Sequence, residues 1–415
     1  MLSGLWIFIA IGVAGIVSAF VFGAELGFLQ YFPYTAANSF TLTAIGTFLL
    51  MGEFLLRGGL TEVVYRGASV LAQWVHGSLY YANILAATMF GAISGSSIAS
   101  SATIGSIAIP QLDKRGYNRE ITLGTIAGGG TLGNLIPPSI TLIIYGALTG
   151  ESVGRLFMAG LIPGLVMSAT MMTYLAIRLR VQPHLAPAAT HIWNRKETLS
   201  SLAGLLPIVV LVIVVLGSIY TGFATPTEAG ALGAFFALVL GTVHQRRFSL
   251  KLVTDSALSA ASTTCMVMVL IVFSSIPAIV FSELRLSQTL IQWTADANLS
   301  PVVILVGISL LYVILGMFID TTPVMVMTLS TMYPLAIATG WDGVWFGVVV
   351  TILNIIGLIT PPVGLSLYAT MAVAPGSTLR QVSMGSIPFV LILLLGVVIL
   401  MQWPQLALWL PGQMF

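Results

Sequence analysis

Charge is scarce in this sequence. Only 7% of its 415 residues are Asp, Glu, Lys or Arg, against about 25% in a soluble domain. That excludes an ordinary soluble fold, and a net charge of +2 excludes a nucleic-acid-binding surface or an acidic tail. Cysteine is scarcer still. Cys265 stands alone in an apolar run, so there is no intrachain disulfide and no thiolate metal site, and a buried, inert thiol is expected. The four histidines (His76, His184, His191, His244) lie in loops and span ends with no metal-ligand spacing. No Ser-His-Asp set, paired catalytic carboxylates or HExxH motif occurs. Enzyme chemistry is therefore not expected, and no cofactor is implied.

What is abundant is apolar length. Hydrophobic residues make up 57% of the chain, which predicts an all-α polytopic membrane protein. Nine crossings are expected, at 4–29, 36–56, 119–150, 155–178, 200–220, 227–244, 255–281, 342–374 and 382–403. Each is near the roughly 20 residues that a bilayer requires. The N-terminus has no basic leader and no small-residue cleavage site, so it reads as a retained first span. Two further segments, 79–112 and 302–338, are apolar on both sides of a polar centre, "SGSSIASS" and "DTTP". Arms of about 15 residues reach only about 23 Å, so both read as re-entrant hairpins with tips near mid-membrane, though the longer first arm at 302–338 leaves two full crossings open there. Segments 58–78 and 283–298 mix charge with apolar residues and read as amphipathic arms along the interface.

Inside two of the spans the chain breaks its own helix. Pro137–Pro138 in "GNLIPPSI" and Pro361–Pro362 in "GLITPPVGL" must interrupt the hydrogen-bond ladder. The two breaks are copies. At a fixed offset of 224, Pro110 falls on Pro334, Gly116 on Gly340, Gly133 on Gly357, both prolines on both prolines, and Ser96–Ser97 on Asp320–Thr321. The chain therefore divides into a first repeat (1–180), a linker with one extra span (181–224) and a second repeat (225–415). Each repeat contributes an even number of crossings, so the extra span at 200–220 inverts the second copy. Tracing the spans places 13 of the 15 Lys and Arg on the side of the N-terminus, with only Arg155 and Arg285 opposite. By the positive-inside rule the N-terminus is cytoplasmic and the C-terminus faces outward.

A helix broken in mid-membrane leaves free carbonyls on one side of the gap and free N–H groups on the other. Carbonyls suit a cation, and helix N-termini suit an anion. Two such breaks facing two hairpin tips gather Ser96, Ser97, Ser100, Thr131, Asn134 and Ser139 from one copy. Asp320, Thr321, Thr322, Asn354 and Thr360 come from the other. These hard oxygen donors fit Na⁺. Packing is the alternative for each Ser or Thr, and capping of the second arm is the alternative for Asp320, which is otherwise a costly group at that depth. "AGGGTLG" (127–133) lacks the Lys-Ser/Thr ending of a nucleotide loop and reads as close helix packing. "TPTE" (225–228) reads as a capping box, and Glu53 with Arg57 as an i,i+4 pair.

At these motifs the chain resembles the large membrane subunit of the tripartite ATP-independent periplasmic (TRAP) transporters. The stretches that carry the resemblance are "SGSSIASSATIG" (94–105), "GTLGNLIPPSITLIIYG" (130–146), "GRLFMAGLIPG" (154–164), "GFATPTEAGA" (222–231) and "GLITPPVGLSLY" (357–368), and it covers nearly the whole chain. It implies an elevator-type secondary transporter in the bacterial inner membrane, driven by Na⁺. It also implies a small membrane subunit of about four helices and a periplasmic binding protein that delivers an organic acid, such as a C4-dicarboxylate, keto acid or sialic acid. The implied Na⁺ sites are Ser96, Ser97 and Ser100 with Gly133, Asn134 and Pro137, and Asp320, Thr321 and Thr322 with Gly357, Thr360 and Pro361. Thr131, Pro138, Ser139, Asn354 and Pro362 are left to contact substrate. A stand-alone carboxylate symporter is the nearer alternative. A channel is the more distant one, and no filter motif supports it.

Overall fold

In a bilayer only a helix satisfies every backbone N–H and C=O within its own segment, and the apolar segments fold accordingly. A computed structural model describes residues 7–23, 27, 31–187, 195–246 and 248–414, and among these there is no strand. The first half runs through α1 (Ile7–Phe22), a short α2 (Phe32–Ala37), α3 (Phe40–Arg57), α4 (Leu60–Leu71), α5 (Ser78–Ser94), α6 (Ser97–Lys114), α7 (Arg119–Thr131), α8 (Ile140–Thr149) and α9 (Val153–Val181). After α10 (Arg195–Tyr220) come α11 (Pro226–Gln245), α12 (Leu250–Glu283), α13 (Leu286–Asp296), α14 (Pro301–Phe318), α15 (Thr321–Ala338), α16 (Gly343–Leu358), α17 (Leu365–Ala372), α18 (Leu379–Gln402) and a short α19 (Gln405–Leu408). Among the described residues, eight helices are long and apolar enough to cross a membrane. The first expected span, 4–29, lies partly outside the described residues. The polar linker does too, between 187 and 195.

The two halves carry the same order of elements. Adding 224 to the bounds of α6 gives 321–338, the bounds of α15, and adding it to the start of α7 gives the start of α16. Both α6 and α15 contain a proline in their last turns, Pro110 and Pro334. The hairpin arms are longer than expected, at 17 and 18 residues in the first hairpin and 18 and 18 in the second. At 1.5 Å per residue they reach about 26–27 Å. The cause is local. Only Gly95–Ser96 forms the first tip, and Ser97–Ser101 are already helical. The Ser96 hydroxyl caps α6 by accepting from Ala99 N–H at 3.4 Å. The Ser100 hydroxyl is satisfied at Ala87 C=O across the hairpin, at 3.2 Å, so serines that look like loop are absorbed into helix.

Helices α7 and α16, with most of α8, form the interior: Ile121–Ser139 and Gly343–Ile359 are buried throughout. The glycines of "AGGGTLG" are packing sites. A Cβ on Gly128 would strike the Phe389 ring, and one on Gly130 the Ser101 side chain. A buried chain of hydrogen bonds ties α4 to α5 and α7: Tyr65 OH donates to Asn83 Oδ1 (3.1 Å), and Asn83 Nδ2 donates to Thr125 Oγ1 (2.9 Å). Against this interior stand α3, α11 and α12, which pack on one another, with apolar side chains such as Phe235 and Leu258 turned outward. The capping box at Thr225–Glu228 is formed, and Arg57 pairs with Glu53 at 2.8 Å. Cys265 corrects its expectation. It is exposed, on the outward face of α12, because an apolar run in a membrane helix says nothing about which face meets lipid and which meets protein.

Candidate functional site

The hairpin tips and the first helix break meet at a single side chain. The break begins where α7 tightens into a 3₁₀ turn at Leu132–Asn134 and resumes at α8. The peptide bond Pro137–Pro138 is cis, as is Pro361–Pro362. Within the break, Asn134 Oδ1 accepts the N–H of Ser97 at 2.8 Å, and its Nδ2 donates to Thr321 Oγ1 at 3.1 Å. One buried amide therefore joins the first tip, the first break and the second tip. The Ser97 hydroxyl adds a second tie, donating to Thr131 C=O at 2.9 Å. Gly91 and Gly133 let the hairpin backbone lie on the break, since a Cβ on either would meet the Cα of the other. The second half repeats this approach with Gly316 and Gly357.

A cavity of about 310 Å³ opens beside this junction. Its lining includes Ser96, Ser97, Asn134, Asp320, Thr321 and Thr322. The N-termini of α6, α8 and α15 all reach it, through Ser97, Thr141 and Thr321. Unpaired N–H groups and aligned dipoles make that side of the cavity favourable to an anion. The opposite wall comes from α3 and α12, with Gly52, Glu53, Thr263 and Met266. Glu53 is held there on both oxygens, by the Ser259 hydroxyl at 2.8 Å and by Arg57.

Asp320 occupies the N-cap position of α15, yet its side chain makes no capping hydrogen bond. The physical reason is Pro323 three residues on, which has no N–H to donate. The carboxylate's contact is the Thr321 hydroxyl at 3.5 Å, and the residue lines the cavity. Among the described residues no cluster of three His, Cys, Asp or Glu could hold a metal. Any cation here would rely on hydroxyl, amide and backbone oxygens beside Asp320, since the other carboxylate of the lining, Glu53, is engaged by Ser259 and Arg57.

The other sequence-predicted residues fall elsewhere. Ser100 points into its own hairpin. Thr131 donates to Gly128 C=O. Ser139 bonds to Asn134 C=O and caps α8 at Leu142 N–H. Gly133, Pro137 and Pro138 are buried behind the cavity. In the second half, Gly357, Thr360, Pro361, Pro362 and Asn354 do not line it. Pro361 and Pro362 are exposed, Thr360 donates to Ile356 C=O at 2.6 Å, and the buried Asn354 leaves its Oδ1 unpartnered. The cavity residues that sequence reasoning missed are Thr141 on α8 and the wall of α3 and α12. Thr263, Met266 and Val267 lie three and four residues apart on one face of α12, a helical spacing that the sequence does display.

Comparison with known proteins places this geometry. The family described as "Tripartite ATP-independent periplasmic transporter, DctM component" matches residues 1–406. The C4-dicarboxylate TRAP transporter large permease protein DctM of Pseudomonas aeruginosa is 32% identical over 404 residues, which is 97% of this chain and 94% of that protein. The 2,3-diketo-L-gulonate TRAP transporter large permease protein YiaN of Escherichia coli is 33% identical, over 94% of this chain and 92% of its own length. The sialic acid TRAP transporter large permease protein SiaM of Vibrio cholerae is 31% identical, over 90% and 87%. Among solved structures, the YdaH transporter of Alcanivorax borkumensis superposes with a TM-score of 0.62 at 14% identity, covering 93% of this chain and 87% of its own. MtrF of Neisseria gonorrhoeae superposes with a TM-score of 0.64 at 12% identity, over 97% and 94%. At such identities these two speak to the fold alone.

Proposed function

The chain belongs to the DctM component family of the tripartite ATP-independent periplasmic transporters, and from that premise we propose that it carries out Na⁺-coupled uptake of a small organic anion. It is a transporter permease subunit, not an enzyme. In this reading it sits in the bacterial inner membrane with its N-terminus cytoplasmic. It works with a small membrane subunit and with a periplasmic binding protein that delivers a dicarboxylate, keto acid, sialic acid or related acid. The relatives' C4-dicarboxylate, diketo-gulonate and sialic acid substrates set that range.

One observation carries the reading: three helix N-termini and the Asn134 amide converge on a cavity lined by the uncapped carboxylate of Asp320, with Glu53 held on the far wall by Ser259 and Arg57. The helix ends suit the cargo's carboxylate. Asp320, the tip hydroxyls and the backbone oxygens at the breaks suit Na⁺, whose charge offsets both the cargo and Asp320 in a low-dielectric setting. The paired hairpins and breaks act as a pair of inverted repeats, and the interior bundle moves against the wall of α3, α11 and α12 in an elevator motion. Accumulation in proteoliposomes containing the chain and its small subunit, with the cognate binding protein outside, tests the coupling. Equal accumulation with and without an inward Na⁺ gradient would refute it. Accumulation without the binding protein would favour the stand-alone symporter.

A further inference from the structure

A second cavity lies further along the same two walls. It measures about 730 Å³ and is lined by α4 and by the far halves of the first hairpin's arms. Its basic groups are Arg66 and Arg115; Gln73, Gln111 and Ser106 add polar donors, and Glu62 is its one carboxylate. Neither guanidinium makes a hydrogen bond or ion pair with any described residue. The two cavities share their construction. The face of α6 that lines the first one, Ala99, Ala102 and Thr103, continues as Ser106, Pro110 and Gln111 in the second. These residues recur every three or four positions, so they form one helical stripe, about 18 Å long at 1.5 Å per residue. Ala99, Ser106 and Pro110 on that stripe are exposed, while Ile104, Gly105, Ala108 and Ile109 on the other faces are buried. The opposite wall is continuous as well. It passes from Gly52, Glu53 and Leu56 of α3 through the turn at Gly58–Gly59 into Glu62, Arg66, Ser69 and Gln73 of α4.

We infer that the two cavities are stations on one anion route, with the Arg66–Arg115 cavity as the vestibule through which a small carboxylate leaves on the cytoplasmic face. This rests on the reading of the tip cavity as the cargo site. The tip cavity holds its anion with helix ends and no free cation. Two unpartnered guanidiniums at the end of the stripe then supply a downhill field for release. The vestibule selects by charge rather than by shape, because the guanidiniums project from separate elements and both are exposed.

Cysteine accessibility tests the route without knowing the cargo. In a Cys265→Ser background, with the small subunit co-expressed, Thr103→Cys, Ser106→Cys and Gln111→Cys are treated with impermeant anionic and cationic methanethiosulfonates. Inside-out and right-side-out vesicles are compared, and Asn298→Cys, in an exposed turn, reports folding and sidedness. All three stripe positions should react from the cytoplasmic side. The anionic reagent should be favoured there, and Arg66→Gln with Arg115→Gln should lower that preference by about tenfold. A preference unchanged by the arginine substitutions would overturn the vestibule. Reaction at Gln111→Cys with none at Ser106→Cys or Thr103→Cys would overturn the connection. Thr141→Trp, which fills the tip cavity, separates the underlying reading: uptake unaffected by it would remove the cargo site whatever the labelling pattern shows.

Discussion

Asn134 offers the sharpest perturbation, because two hairpin tips depend on its one amide. Asn134, Ser97 and Thr321 are 5%, 1% and 2% exposed, so these groups depend chiefly on one another for partners. Asn134→Ala orphans the Ser97 N–H in the first turn of α6, at a cost of about 1–3 kcal/mol, and forfeits the bond to Thr321, worth about 0.5–1.5 kcal/mol. The sum is about 1.5–4.5 kcal/mol, which moves an equilibrium between joined and separated tips by about 10- to 2000-fold. Thr321→Val keeps the acceptor for Ser97 and removes only the partner of the Asn134 Nδ2, so it should forfeit only the smaller part. Thermal unfolding of the purified complex gives the stability order, and proteoliposome uptake gives the functional one. The reasoning fails if Asn134→Ala unfolds and transports like the parent, or if Thr321→Val is as destabilising as the alanine.

Three further outcomes follow from the same geometry. Gly357→Ala would place a Cβ 2.6 Å from the backbone of Gly316, which cannot give way. It should cost about 1–3 kcal/mol, whereas Gly307→Ala, with nothing within 4 Å, should lose no stability; equal effects in thermal unfolding would contradict this. Asp320→Ala should insert normally and show reduced Na⁺ dependence or no uptake, and normal Na⁺-dependent uptake would remove the carboxylate from the cation site. Thr225→Ala breaks the capping box of α11 and should cost about 1 kcal/mol of stability. The Na⁺ concentration for half-maximal uptake should stay unchanged, and a shift in it would mean the cap does more than end a helix.

Much of this architecture was legible because membrane helices announce themselves by apolar length and breaks by proline. The expected broken segment at 119–150 is α7 and α8 to within a residue, since Asn118 and Gly150 bound it with an N-cap and a left-handed C-cap. Hairpin arm length was misjudged because serines read as loop were helical, satisfied by side-chain bonds back to the backbone. Asn134 could be picked out as a polar group in the first break, but not as the link between halves, because Thr321 lies 187 residues away. Thr263 was not singled out, and Glu53 was read only as the partner of Arg57, for a different reason. They sit on otherwise ordinary helices, and only the packing of α12 and α3 against the tips brings them to the cavity.

The two copies share backbone more faithfully than chemistry. At offset 224 Gly133 and the diprolines that stop the helix are kept, the partner glycine recurs one position off (Gly91 and Gly316), and both cis peptides recur. The polar groups are not kept: Ser96 answers to Asp320, Asn134 to Leu358, and Gly130 to Asn354. Burial diverges with them, since Pro137 and Pro138 are enclosed while Pro361 and Pro362 are exposed. A backbone break demands the same residues wherever it occurs, because only glycine permits the approach and only proline removes the donor. A ligand set makes no such demand. One junction needs one amide bridge, and a second Asn134 at the equivalent, buried Leu358 would leave an unpaired polar group in a dry interior. The pattern of what duplicated and what diverged therefore separates the residues that shape the break from those that use it. Asn134 and Asp320 fall outside the set that the break itself demands.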